Sequence, residues 1–184
     1  MLDVYENNYW HEFQTSIKER PITERIDEFL EISRERVSYI MNFKKKCTLL
    51  DVGCSMGFLV KAAQDSGFIS TGIDLNKKDI DFGIDLFDIN LKKQFLGQHQ
   101  KSKSMLEQMS SRLNNGGIVV VGTHDINCNN HKKEKVNWKH IVPNEHMYYF
   151  SKKTLSNLAE LVGLKEFYTY KPIDNGFVSF FKGV

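Results

Sequence analysis

Several things are scarce in this chain, and each scarcity removes a class of function. Only three cysteines occur in 184 residues (Cys47, Cys54 and Cys128), so they cannot all pair with one another. With no signal-like N-terminus, they read as reduced thiols in a cytoplasmic protein. The net charge is only +2, too small to argue for a nucleic-acid partner or an anionic membrane surface. The longest apolar runs, such as Ile118 to Val121, are far too short to span a bilayer. There is no internal repeat and no low-complexity segment. What remains is ordinary globular composition, 41% hydrophobic and 26% charged, at a length that suits one domain with a real core.

The stretch with the most chemical content is Leu49-Leu50-Asp51-Val52-Gly53-Cys54-Ser55-Met56-Gly57-Phe58. Leu49, Leu50 and Val52 suit a strand buried on both faces. Gly53 and Gly57 permit a tight turn and close approach of a ligand to the backbone. The residues from Phe58 onward open a helix, whose free N–H groups attract negative charge. The helix runs to about Ser66, with Gly67 placed to end it. A second strand follows over 68–74 and ends on Asp74. Strand, helix and strand in so short a span imply parallel pairing. Asp74 stands 21 positions after Gly53, where a strand-end carboxylate can accept bonds from two ribose hydroxyls. A dinucleotide site would want G-x-G-x-x-G. Here a carboxylate, Asp51, flanks a turn with fewer glycines. That carboxylate repels pyrophosphate but suits an ammonium group, which favours a ligand with adenosine at one end and an amino acid at the other.

The rest of the chain is consistent with an α/β sheet. A helix is expected after Pro21, through Ile22, Ile26, Phe29, Leu30, Val37 and Ile40. With the aromatics Tyr5, Tyr9, Trp10 and Phe13, residues 1–43 read as an N-terminal helical cap on a core of residues 44–184. Met105, Leu106, Met109 and Leu113 give one helical face, and Asn114-Asn115-Gly116-Gly117 ends it. Ile118 to Val121 is a buried strand by its β-branched run. A polar loop is expected from His124 to about Val142. Ser151 is placed to cap a helix carrying Leu155, Leu158, Ala159 and Val162. Residues 164–170 and 177–181 then alternate as an antiparallel pair.

Taken together, the first stretch resembles motif I of the class I S-adenosylmethionine-dependent methyltransferases, and Asp74 matches the acidic residue after their second strand. Asn114 to Val120 is similar to their glycine-glycine strand element. Trp138 with Glu145-His146-Met147-Tyr148-Tyr149-Phe150-Ser151 resembles a segment of the branch that holds ubiquinone-type O-methyltransferases and related small-molecule and sugar methyltransferases. The resemblance implies a Rossmann-like, mostly parallel sheet with an antiparallel C-terminal strand and helices on both faces. It implies S-adenosyl-L-methionine as cofactor, bound by Asp51, Gly53, Cys54, Gly57, Asp74, Leu75 and Asp85. It also implies methyl transfer to a small-molecule acceptor, most simply a hydroxyl oxygen.

Two departures stand out. Ser55 occupies the place of the usual second motif glycine. Asp74 and Gly117 are only 43 positions apart, about one αβ unit short. Phe82 to Ile89 fits strand three, with Asp85 at its end, or strand four, through Phe87-Asp88-Ile89. A hydroxyl acceptor profits from a general base. His146 is the first candidate because it sits in the resembling segment, followed by His124, His140 and His99. His124, Cys128 and His131 have a spacing that hints at metal, but three ligands in a polar loop argue for none. The rival to an enzyme is a shortened, non-catalytic relative that binds the cofactor or serves as an interaction module.

Overall fold

The computed structural model describes residues 20–96, 102–141, 148–171 and 176–184. These gather into two compact units, Met1–Phe95 and Leu96–Val184. The aromatics Tyr5, Tyr9, Trp10 and Phe13 of the expected N-terminal cap, and the candidates His99 and His146, lie outside the described residues.

The first unit opens with a short 3-10 turn (Ile22–Glu24) and helix α1 (Ile26–Met41). Then come strand β1 (Thr48–Val52), helix α2 (Phe58–Asp65), strand β2 (Ile69–Asp74), helix α3 (Lys77–Phe87) and strand β3 (Leu91–Lys93). The three strands form one sheet, β1-β2-β3, and both pairings are parallel, as the short strand–helix–strand spacing requires. Gly67 ends α2 at φ +89°. Two apolar clusters fix the helices. Cys54, Val60, Ile80, Ile89 and Leu91 form one; Ile22, Leu30, Met56 and Phe58 form the other.

One expectation for β1 does not hold. A strand buried on both faces was anticipated, yet Leu50 is 44% exposed. The reason is topological: within the first unit β1 pairs only with β2, and no other described strand of that unit lies against its other edge. Doubly wound sheets place another strand there. Neither alternative for residues 82–89 holds either. They form the end of α3 and the turn after it, so Asp85 is an exposed helical residue rather than a strand-end carboxylate. The cause is local. Asn76 caps α3 by accepting from the N–H groups of Lys78 and Asp79, Lys77 pairs with Asp81 one turn on, and Ile80, Gly83 and Phe87 recur at helical spacing. Strand three is the short run Leu91–Lys93 instead. Only residues 94–101 then separate it from the next helix, and among the described ones there is no further strand. Among the described residues the span from 75 to 116 therefore holds one strand, β3.

The second unit contains α4 (Ser102–Ser111), β4 (Ile118–His124), α5 (Asn129–Glu134), a 3-10 turn (Lys135–Asn137), α6 (Lys152–Glu160), β5 (Leu164–Tyr170) and β6 (Gly176–Gly183). Its sheet runs β4-β6-β5 with both pairings antiparallel. The expected C-terminal antiparallel pair is present. Among the described residues the strands thus form a parallel sheet, β1-β2-β3, and a C-terminal antiparallel one, β4-β6-β5, within the expected α/β fold. Residues 124–142 are not all loop, because Cys128 caps α5 through its Sγ. Ser151 caps α6 in a reciprocal capping box with Thr154. Leu106, Val119, Leu155, Ala159, Leu164, Phe177 and Phe181 make the core.

Candidate cofactor site

Three parallel strands end side by side at Val52, Asp74 and Lys93. Ligands of open α/β sheets bind outside such carboxyl ends. Between β1 and α2 the backbone takes positive φ at Gly53 (+79°), Ser55 (+47°) and Gly57 (+76°). This alternation folds the chain back sharply, so that Gly57 becomes the N-cap of α2. Among the described residues no side chain caps that helix. Its first-turn N–H groups are thus left for another acceptor, such as a carboxylate. A Cβ built on Gly53 would have nothing within 4 Å, so the space before the turn is open.

The second feature is negative charge. Burial pushes the Asp51 carboxyl up to about 6; the Arg36 guanidinium works against that rise and the Asp74 carboxylate adds to it. Among the described residues nothing donates a hydrogen bond to the Asp51 carboxylate. Asp74, by contrast, is oriented by backbone donors. Ser55 N–H reaches its Oδ2 at 2.8 Å and Asn76 N–H its Oδ1 at 2.9 Å. Each oxygen keeps a free lone pair for a ligand hydroxyl. Two carboxylates beside an uncapped helix start make a site for a molecule with cationic groups, a carboxylate and a diol. S-adenosylmethionine has all of these, whereas a pyrophosphate would be repelled.

A family model described as "Methyltransferase domain" (Methyltransf_23) matches residues 10–166. The chain belongs to the methyltransferase-domain family. It is a methyltransferase by family. No curated protein matches it. Its fold recurs in solved structures at low identity. A methyltransferase from Archaeoglobus fulgidus is 15% identical, with TM-score 0.65 over 83% of this chain and 93% of that one. The magnesium protoporphyrin IX methyltransferase of Synechocystis, with S-adenosylhomocysteine bound, is 11% identical, with TM-score 0.65 over 97% and 95%. Mitomycin 7-O-methyltransferase is 11% identical, with TM-score 0.61 over 87% of this chain and 54% of that one. These likenesses show the fold.

Within this methyltransferase, the residues expected at the cofactor site divide. Asp51, Gly53, Gly57, Asp74 and Leu75 stand at the ends of β1 and β2 or in the turn between β1 and α2. Cys54 is there too, but its side chain turns into the core: it lies against Gly72, where an added Cβ would meet its Sγ at 2.7 Å. Burial, and then the nearby carboxylates of Asp51 and Asp74, push its thiol well up, so it stays protonated and inert. Asp85 is apart from this group, out on α3. Sequence reasoning missed Gly83. It lies where α3 passes the turn so closely that a Cβ would sit 2.2 Å from the Met56 carbonyl oxygen. A glycine inside a helical pattern was the available signal.

The second unit gathers histidines. At the C-terminal end of β4, His124 stacks on His140 with centroids 3.7 Å apart. Trp138, 1% exposed, stands edge-on to His140 and tilted against His131. His131 Nδ1 donates to the Ile126 carbonyl, and Cys128 Sγ accepts from the His131 N–H. Among the described residues no group of three or more His, Cys, Asp or Glu is arranged to hold a metal ion. Nor is any helix among them long and apolar enough to cross a membrane.

Proposed function

We propose that this methyltransferase alkylates a hydroxyl oxygen of a small molecule, with residues 1–184 acting as one methyltransferase domain. S-adenosylmethionine supplies the electrophilic methyl group, carried on a sulfonium. Asp74 would receive the ribose hydroxyls, and Asp51 the ammonium, directly or through water. Gly53 and Gly57 would let the ligand approach the backbone, with Leu75 beside them. The work of the chain is placement, since fixed geometry alone supplies several kcal/mol of a bimolecular barrier.

The acceptor class rests on one observation, the histidine cluster around Trp138 at the end of β4. Imidazole titrates nearest neutrality and is the natural acceptor for a hydroxyl proton. His146 is the proposed base, on its place in the segment resembling ubiquinone-type O-methyltransferases. His124 and His140 are the described alternatives. Mitomycin 7-O-methyltransferase, which shares the fold, methylates an oxygen by its name, and that accords with the reading.

The test is methyl transfer from isotopically labelled S-adenosylmethionine across a panel of phenols, sugars, amines and thiols. Label on a hydroxyl acceptor, with a rate that falls as pH drops below about 6.5, supports the reading. Turnover only on amines or thiols contradicts it. The short span between Asp74 and Gly117 favours a second reading, a relative that binds the cofactor without turnover. Tight binding with no transfer to any acceptor would support that one.

A further inference from the structure

Ser55 is the place where this chain departs from the usual motif, and the structure gives the departure a use. Its φ of +47° lies in the left-handed region that a side chain disfavours. The residue is nevertheless tied on two sides. Its N–H donates to Asp74 Oδ2 at 2.8 Å, and its Oγ–H donates to Asp79 Oδ2, also at 2.8 Å. Asp79 is 3% exposed, in the first turn of α3. Its own N–H donates to Asn76 Oδ1 at 3.3 Å, and Asn76 N–H returns to Asp74 Oδ1 at 2.9 Å. Ser55, Asp74, Asn76 and Asp79 thus close a ring of hydrogen bonds that joins the turn, the end of β2 and the start of α3.

We propose that Ser55 is a positioning residue for the cofactor: its hydroxyl, anchored on the Asp79 carboxylate, holds the turn so that its N–H fixes the plane of Asp74 for the ribose hydroxyls. The proposal rests on the reading of Asp74 as the ribose carboxylate. A glycine at 55 would accept the backbone conformation and keep the N–H. It would lack the link to α3, so the turn and the carboxylate would no longer be locked in register. A hydrogen bond to a charged acceptor counts for more than a neutral one, and in a closed ring each bond limits the motion of the next.

The experiment is calorimetric titration of the wild type and Ser55→Gly with S-adenosylhomocysteine and with its 2′,3′-dideoxyribose analogue, alongside thermal unfolding of both proteins. Glycine suits the positive φ, so the variant is expected to fold. The expected result is about tenfold weaker binding of S-adenosylhomocysteine, as loss of a charge-assisted bond gives. The dideoxy analogue, which lacks the hydroxyls Asp74 receives, should bind both proteins equally. Asp79→Ala should share that loss rather than add to it in the double variant. Unchanged or tighter binding of S-adenosylhomocysteine by Ser55→Gly overturns the proposal. So does an equal loss for both ligands, which would mean general damage to the turn. If the wild type binds S-adenosylhomocysteine no better than the dideoxy analogue, the ribose reading of Asp74 fails and the proposal fails with it. That result is distinguishable because it appears in the wild type alone.

Discussion

Asp51 in the first unit and Glu166 in the second are both half-buried carboxylates, and their surroundings shift them in opposite directions. For Glu166, burial alone would raise the carboxyl. Hydrogen bonds from Ser156 and Thr169 and the Lys152 ammonium at 3.2 Å outweigh it and leave the group below its ordinary range. Thr169 is itself held by the buried Ser179 at 3.0 Å. Among the described residues Asp51 has no such set of donors, and burial carries it up to about 6 against the pull of the Arg36 guanidinium. A carboxylate whose bonds are completed inside the protein serves the fold. One whose desolvation is offset only in part, as the Arg36 guanidinium offsets that of Asp51, weakens the fold and suits a ligand that brings further positive charge.

The largest expected effect comes from removing the buried charge of Asp51. Asp51→Asn should weaken S-adenosylmethionine binding about 30- to 300-fold, the range for deleting one partner of a close charge pair. The same change should stabilise the ligand-free protein at neutral pH by on the order of 2 kcal/mol. The sign follows from the direction of the shift. A carboxyl raised on folding favours the native state below its unfolded value near 3.8, and that support is gone once pH passes about 6. An amide has no such loss. Calorimetric titration and denaturant unfolding check the two halves, and a variant that is less stable as well as binding-deficient would break the comparison.

A smaller effect is expected from Gly83→Ala, which places a methyl against the Met56 carbonyl and forces α3 away from the turn. Overpacking of this kind costs about 1–3 kcal/mol. Unfolding should show that loss and titration a weaker cofactor. Unchanged binding would mean the turn is not held in place by α3. The smallest effect is Glu166→Gln. It should cost about 1 kcal/mol at neutral pH and leave cofactor binding untouched. Because that carboxyl is lowered on folding, its contribution is present at neutral pH and lost as pH falls. Wild-type and variant stabilities should therefore converge in acid.

The contrast also bears on what the sequence could reveal. Features written within a few neighbouring residues were legible: the turn of Gly53 and Gly57, the strand-end Asp74, the Ser151 cap and the antiparallel C-terminal strands. Residues 82–89 were misassigned because the resemblance supplied strands where local chemistry supplied a helix. The Asn76 cap and the Lys77–Asp81 pair were there to be used. What depends on tertiary approach left no local trace. The Ser55–Asp79 bond joins residues 24 apart, and the stacking of His124 on His140 crosses the segment expected to be loop. The direction of Cys54 was hidden for the same reason: its neighbour Gly72 comes from the adjacent strand.

The central claim is that S-adenosylmethionine binds because it matches the buried charge of Asp51, which the Arg36 guanidinium offsets only in part. Calorimetric titration of the wild type with S-adenosylmethionine from about pH 5 to about pH 7 tests this most directly, since only the ionised carboxylate can pair with a cation. Affinity should rise with pH through a midpoint near or just below 6, and Asp51→Asn should abolish the slope. No binding at any pH, or an affinity flat across the range in the wild type, would contradict the account.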